Sequence, residues 1–157
     1  MDYLVLKWVH VLSSTILFGA GVGSAFHLFV ATLRRRVDGM AIATRTVVLA
    51  DWLLTTPAAI LQPLTGLWLV HLMGVPFSTP WVAWSLALYA VAIACWLPVV
   101  WIQIRMRNLM AQAQREGAPV PRGYDRLFHQ WVALGFAAFF AFLLVFWLMV
   151  AKRLAWA

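Results

Sequence analysis

From Tyr3 to Leu33 the chain is almost wholly apolar, and it then stops at three consecutive arginines, Arg34, Arg35 and Arg36. A run of roughly 18 or more apolar residues reads as a membrane-spanning helix, because the bilayer offers the backbone no water and a helix satisfies its own N–H and C=O groups. The run is too long for a cleavable leader, and no small-residue cleavage site follows it. Two histidines interrupt it, His10 and His27. An ionisable group inside a span is costly and is a functional candidate by default. Gly19, Gly21, Gly23 and Ser24 give the same helix a small face that a neighbouring helix or a flat cofactor can approach closely.

The rest of the chain has the same character. It is 64% hydrophobic and 11% charged, against roughly 25% charged in a soluble domain. One integral membrane domain over residues 1–157 is expected, with no separate soluble domain. The net charge of +7 comes from basic residues at the ends of apolar runs. That placement sets membrane orientation and supplies no patch for nucleic acid. The single cysteine, Cys95, lies mid-span, so no internal disulfide forms.

The apolar runs predict an all-α, four-helix transmembrane bundle with spans at about 3–33, 44–73, 80–107 and 124–153. Arg34, Arg35, Arg36 and Arg45 flank the first connection, and Arg105, Arg107, Arg115, Arg122 and Arg126 the third. The second connection, GVPFSTP, has no charge, and the terminal segments have Lys7, Lys152 and Arg153. This asymmetry puts the first and third connections in the cytoplasm and both termini outside, in the periplasm of a bacterial inner membrane. Trp8, Trp68, Trp81, Trp84, Trp147 and Trp156 then fall toward the outer ends, and Trp52, Trp101 and Trp131 toward the inner ends. That is the interfacial belt of amphipathic rings, with no role in chemistry.

In the second span Pro57 and Pro63 each remove a backbone donor, which predicts bends and freed carbonyls. Asp51, Thr55, Gln62 and Gly66 recur at spacings of four, seven and four, one stripe of a regular helix. A polar stripe inside a span faces protein or a cavity. The Asp51 carboxyl needs a partner there, either Arg105 or Arg107 of the third span or cytoplasmic water.

On this topology the histidines form two pairs. His10 and His71 lie on the outer side, His27 and His129 on the inner side. Imidazole is an axial ligand of haem iron, and bundle interiors hold such cofactors. His10 is the leading ligand, with Ser14, Gly21 and Ser24 leaving room for a porphyrin edge and His71 as the opposite ligand. A second haem between His27 and His129 is a further expectation. The competing reading makes each histidine a partner of a carbonyl or headgroup. No histidines at i, i+4 suggest zinc, and no Ser–His–Asp constellation suggests a nucleophile.

Lys7-x-x-His10, Gly19-Ala20-Gly21 and His27-Leu28-Phe29-Val30 resemble the first helix of the HemJ-type membrane protoporphyrinogen oxidases. Leu54-Thr55-Thr56-Pro57 resembles their second-helix motif, and Trp81 the tryptophan that opens their third helix. CopD-like proteins share the four-helix plan, and the chain resembles more closely the DUF-type family of bacterial predicted integral membrane proteins. The HemJ resemblance implies that His10 binds haem b. Ser85 stands where that family has a lysine, and His27 where it has an arginine.

The expectation is therefore a small membrane b-type haem protein, with one haem per chain. It would pass electrons as a membrane oxidoreductase to a quinone or a partner protein, alone or as a homo-oligomer. The alternative is a cofactor-free permease or accessory subunit in which the stripe of Asp51 and Gln62 lines a pathway.

Overall fold

The computed structural model describes residues 2–152, so Arg153 and Trp156 lie outside the described residues. It is all-helical among them, with α1 (Tyr3–Leu33), α2 (Val37–Leu72), α3 (Pro80–Glu116) and α4 (Arg122–Ala151). Each of the four is long and apolar enough to cross a membrane. Asp2 caps α1 by accepting from the Leu4 N–H, and α3 stops at Gly117, whose φ of 62° is the left-handed conformation glycine tolerates.

Two boundaries move. α2 begins at Val37 rather than near Thr44, and α3 continues past Arg107 to Glu116. The sequence reading stopped at the charges, but the apolar spacing does not. Met40, Ala43 and Val47 of α2 and Met106, Met110 and Ala113 of α3 are buried at helical intervals. α3 is therefore about 55 Å long, well beyond the ~30 Å hydrocarbon core. Most of these residues join Leu28, Tyr124, Phe128 and Trp131 in the largest packed cluster, at the end that carries the basic connections.

α1 lies along α2, α3 along α4, and the two pairs are joined through α2 and α3. α1 and α4 meet through side chains. Phe18 stacks on Phe139 with centroids 5.5 Å apart, and Phe29 lies 5.8 Å from Phe128. At the basic end the Thr32 and Tyr124 hydroxyls are 2.9 Å apart and buried, and Arg35 pairs with Asp125 at the surface.

The prolines do not break α2. Asp51–Thr55 form a π-helical turn, in which the Thr56 N–H reaches the Asp51 carbonyl just before Pro57. Pro63 has no N–H to give the Ala59 carbonyl one turn earlier. Tyr89 of α3 supplies the missing donor, its hydroxyl lying 2.5 Å from that carbonyl oxygen.

Candidate functional site: an intramembrane cavity

Two polar assemblies lie in the bundle, and the sequence reading had merged them. The first joins α1 to α2 in the half away from the basic connections. His10 Nδ1 lies 2.8 Å from Thr65 Oγ1, and Gln62 Nε2 lies 3.4 Å from His10 Nε2. Ser13 donates to Gln62 Oε1 at 2.5 Å. The hydroxyl proton of Thr65 goes to its own helix, with the Leu61 carbonyl 2.7 Å away. Thr65 therefore accepts from His10, which fixes the Nδ1–H tautomer and leaves the lone pair on Nε2. Gly66 completes the seat, since a Cβ there would lie 3.0 Å from His10 Cε1.

His71 does not join His10. Ser13 meets Gln62 and Tyr3 meets Met73 in an antiparallel register that puts His71 level with residues 4–5. That is about 9 Å from the level of His10, and His71 points about 180° away from Gln62 around α2. It is exposed, as are His27 and His129. His129 Nδ1 lies 2.6 Å from the Asp125 carbonyl of its own helix. Ser14 and Ser24 likewise donate to carbonyls of α1.

The second assembly is a cavity of about 400 Å³ between the α1–α2 and α3–α4 pairs, within the range of small-molecule sites. Its α1 wall runs from Leu17 to Phe29, so it occupies the half of the bundle nearer the basic connections. Gly21 and Ser24 line it, but His10 does not. Phe18, Trp96, Trp131, Phe139 and Phe142 supply aromatic walls. Val22, Phe26, Phe29 and Phe136 also line it and are exposed, so it opens toward the lipid-facing surface.

The polar atoms of this cavity distinguish it. Asp51 Oδ2, Thr55 Oγ1, Gln103 Oε1 and Trp131 Nε1 are buried without a hydrogen-bond partner, and all four residues line it. Their residue exposures are 3%, 3%, 5% and 6%, in a setting where an unpaired polar group costs several kcal/mol, roughly. Among the described residues Asp51 is the one ionisable lining side chain. The arginines expected to pair with it are engaged elsewhere, Arg105 over the Trp101 ring at 4.3 Å and Arg107 with Asn108.

The expected stripe on α2 is split. Asp51 and Thr55 face the cavity, whereas Gln62 and Gly66 face His10. A π-turn holds one residue more than an α-turn, a phase change of about 100°. The turn at Asp51–Thr55 shifts Asp51 around α2 relative to Gln62, whereas Thr55 and Gln62 are seven α-helical residues apart, close in angle and about 10 Å apart along the axis. Sequence reasoning missed Gln103 and assigned Trp131 to the interface. A glutamine one helical turn inside a run ending in arginines was a usable signal, but the position of Trp131 was set by packing with Phe128.

Fold and site together define a small four-helix integral membrane protein with a lipid-facing cavity that has polar groups at one end. The family described as "Predicted integral membrane protein (DUF2269)" matches residues 4–153, and the chain belongs to it. No curated protein and no solved structure matches the chain.

Proposed function

We propose that the protein takes a lipophilic small molecule with one polar end from the bilayer into this cavity, as a small permease or carrier of a bacterial inner membrane. The observation that carries this reading is the convergence of four unpartnered buried polar atoms on one largely apolar cavity. Apolar walls hold a hydrocarbon or aromatic body, and the few polar groups orient its head. A quinone, with or without a redox partner protein, is one molecule of this kind. With the arginine-rich connections in the cytoplasm, as their charge favours, the cavity lies toward the cytoplasmic leaflet.

Trp96 and Trp131 line the cavity, so binding can be read optically. A brominated alkanol should give a saturable component of tryptophan quenching in the purified protein, and that component should vanish in Trp96→Phe/Trp131→Phe. Quenching that never saturates, or that the double substitution leaves unchanged, would overturn the reading.

A second reading keeps haem b on His10, serving electron transfer. It is favoured by the Thr65 contact, which holds Nδ1 as an outer-shell partner holds a metal-binding imidazole and leaves Nε2 as the ligating atom. The seat fits in that respect, but Gln62 must first turn its amide away from Nε2, and His71 does not stand opposite. A Soret band in the purified protein that disappears in His10→Ala would support this reading, and wild-type protein that takes up no haem on reconstitution would refute it.

A further inference from the structure

We infer that the polar end of the cavity, formed by Asp51, Thr55 and Gln103, receives a cationic nitrogen, so that the molecule bound is a lipophilic ammonium compound. This rests on the reading that the cavity binds a lipophilic small molecule, and it names the head group.

Among the described residues no cation pairs with the buried Asp51: Arg105 lies over Trp101, Arg107 bonds Asn108 and Arg35 pairs with Asp125. A buried carboxylate left without a counter-charge is strongly unfavourable, and a ligand cation provides the pairing that the chain lacks. Donors and acceptors are also out of balance there: Asp51 Oδ2 and Gln103 Oε1 are acceptors with no donor at hydrogen-bond distance, and the Thr55 hydroxyl, able to accept or donate, is unpartnered as well. An ammonium head brings up to three N–H donors and no acceptor. A hydroxyl brings one donor, a quinone carbonyl none, and a carboxylate or phosphate would set acceptors and negative charge against Asp51. Trp96 and Trp131 present aromatic rings to the same cavity, and aromatic faces attract cations, most strongly where water is excluded. Among these four unpartnered atoms the Trp131 nitrogen is the one that can only donate, which selects for an acceptor on the body of the molecule.

The test uses the full chain in nanodiscs of neutral phosphatidylcholine, with empty nanodiscs as the partition control. The probes are dodecylammonium, dodecanol and dodecanoate, which share one chain and differ in the head. The ammonium should bind at least tenfold more tightly than either of the others. Asp51→Asn should remove most of that preference while dodecanol affinity stays within about twofold, and Gln103→Leu should lower the preference in the same direction. Dodecanol binding as tightly as the ammonium, or an ammonium preference that survives both substitutions, would overturn the head-group assignment and leave the cavity reading standing. Saturable binding of none of the three would overturn both.

Discussion

Tyr89 donates its hydroxyl to the Ala59 carbonyl, the one that Pro63 leaves without its helical donor. A proline inside a span is thus matched by a hydroxyl from the neighbouring helix. The pairing ties α2 to α3 beside the cavity that Ala59 helps to line.

Removing that hydroxyl should matter only while the proline is present. Tyr89→Phe leaves a carbonyl without a donor in lipid, at a cost of about 1–3 kcal/mol. In a Pro63→Ala background residue 63 regains its N–H, and the cost of Tyr89→Phe should fall below about 1 kcal/mol. Denaturant unfolding in detergent for the four proteins of this cycle measures the coupling. Equal costs in the two backgrounds would show that the hydroxyl's contribution does not depend on the proline.

Gly66→Ala should destabilise the protein although alanine is the better helix former. The gain from replacing a helical glycine is about 0.5–1 kcal/mol, whereas forcing a methyl into a filled seat costs about 1–3 kcal/mol. The new Cβ would lie 3.0 Å from His10 Cε1, and Thr65 and Gln62 hold the ring on both sides. Thermal melts should show a lower Tm for Gly66→Ala and none for Gly23→Ala, where a Cβ meets nothing within 4 Å. An unchanged Tm for Gly66→Ala would mean that the His10 ring moves freely.

What could be read from the sequence follows from which forces act locally. Hydropathy reports transfer into lipid residue by residue, so the four spans and their order were legible. The extensions of α2 and α3 were not, because there Met40 and Met106 pack against protein among charged neighbours. Asp51, Thr55 and Gln62 were expected on one stripe facing protein or a cavity, which for Asp51 assumed an unbroken 3.6-residue period. The π-turn before Pro57 violates that assumption, and nothing in the letters Asp51–Thr55 announces it. Gln103 and Trp131 stand 28 positions apart and meet the same cavity only through the packing of α3 on α4. Such adjacency has no one-dimensional signature.

At the basic end two polar contacts join α1 and its following turn to α4, and the buried one should dominate. Tyr124→Phe removes the partner of the buried Thr32 hydroxyl and should cost about 1 kcal/mol. Arg35 and Asp125 are roughly half exposed at their side chains, where an ion pair is weak and screened by salt. The Asp125 carboxylate raises the Arg35 pKa above its usual value through a hydrogen bond and charge attraction. Arginine stays protonated at every ordinary pH, so this small contribution is not lost through Arg35. Asp125→Asn should therefore lower Tm less than Tyr124→Phe, with a difference from wild type that shrinks in high salt. The reverse order would show that the surface pair is the main latch.

Orientation can be checked independently of any ligand. With Arg34, Arg35 and Arg36 at one connection and Arg115 and Arg122 at the other, both connections should be cytoplasmic. Reporter fusions after Arg36 and after Gly117 should be active as cytoplasmic fusions, and one after Ala157 as a periplasmic fusion. The opposite result would move the cavity to the outer leaflet.

Filling the cavity should separate binding from folding. Gly21 and Gly135 both line it, and a Cβ at either meets nothing within 4 Å. Leucine at these positions can extend into open space without displacing a neighbour. It replaces a helical glycine, worth about 0.5–1 kcal/mol, and adds dispersion contacts along walls that now face a void. Gly21→Leu and Gly135→Leu should keep or raise the Tm while weakening saturable ligand binding at least tenfold. Gly23→Leu is the control, because Gly23 is exposed, equally unobstructed and not part of the lining. It should leave binding as it is. If Gly21→Leu lowers the Tm by several degrees, the space is filled in the folded protein. If it retains full binding, the ligand sits elsewhere.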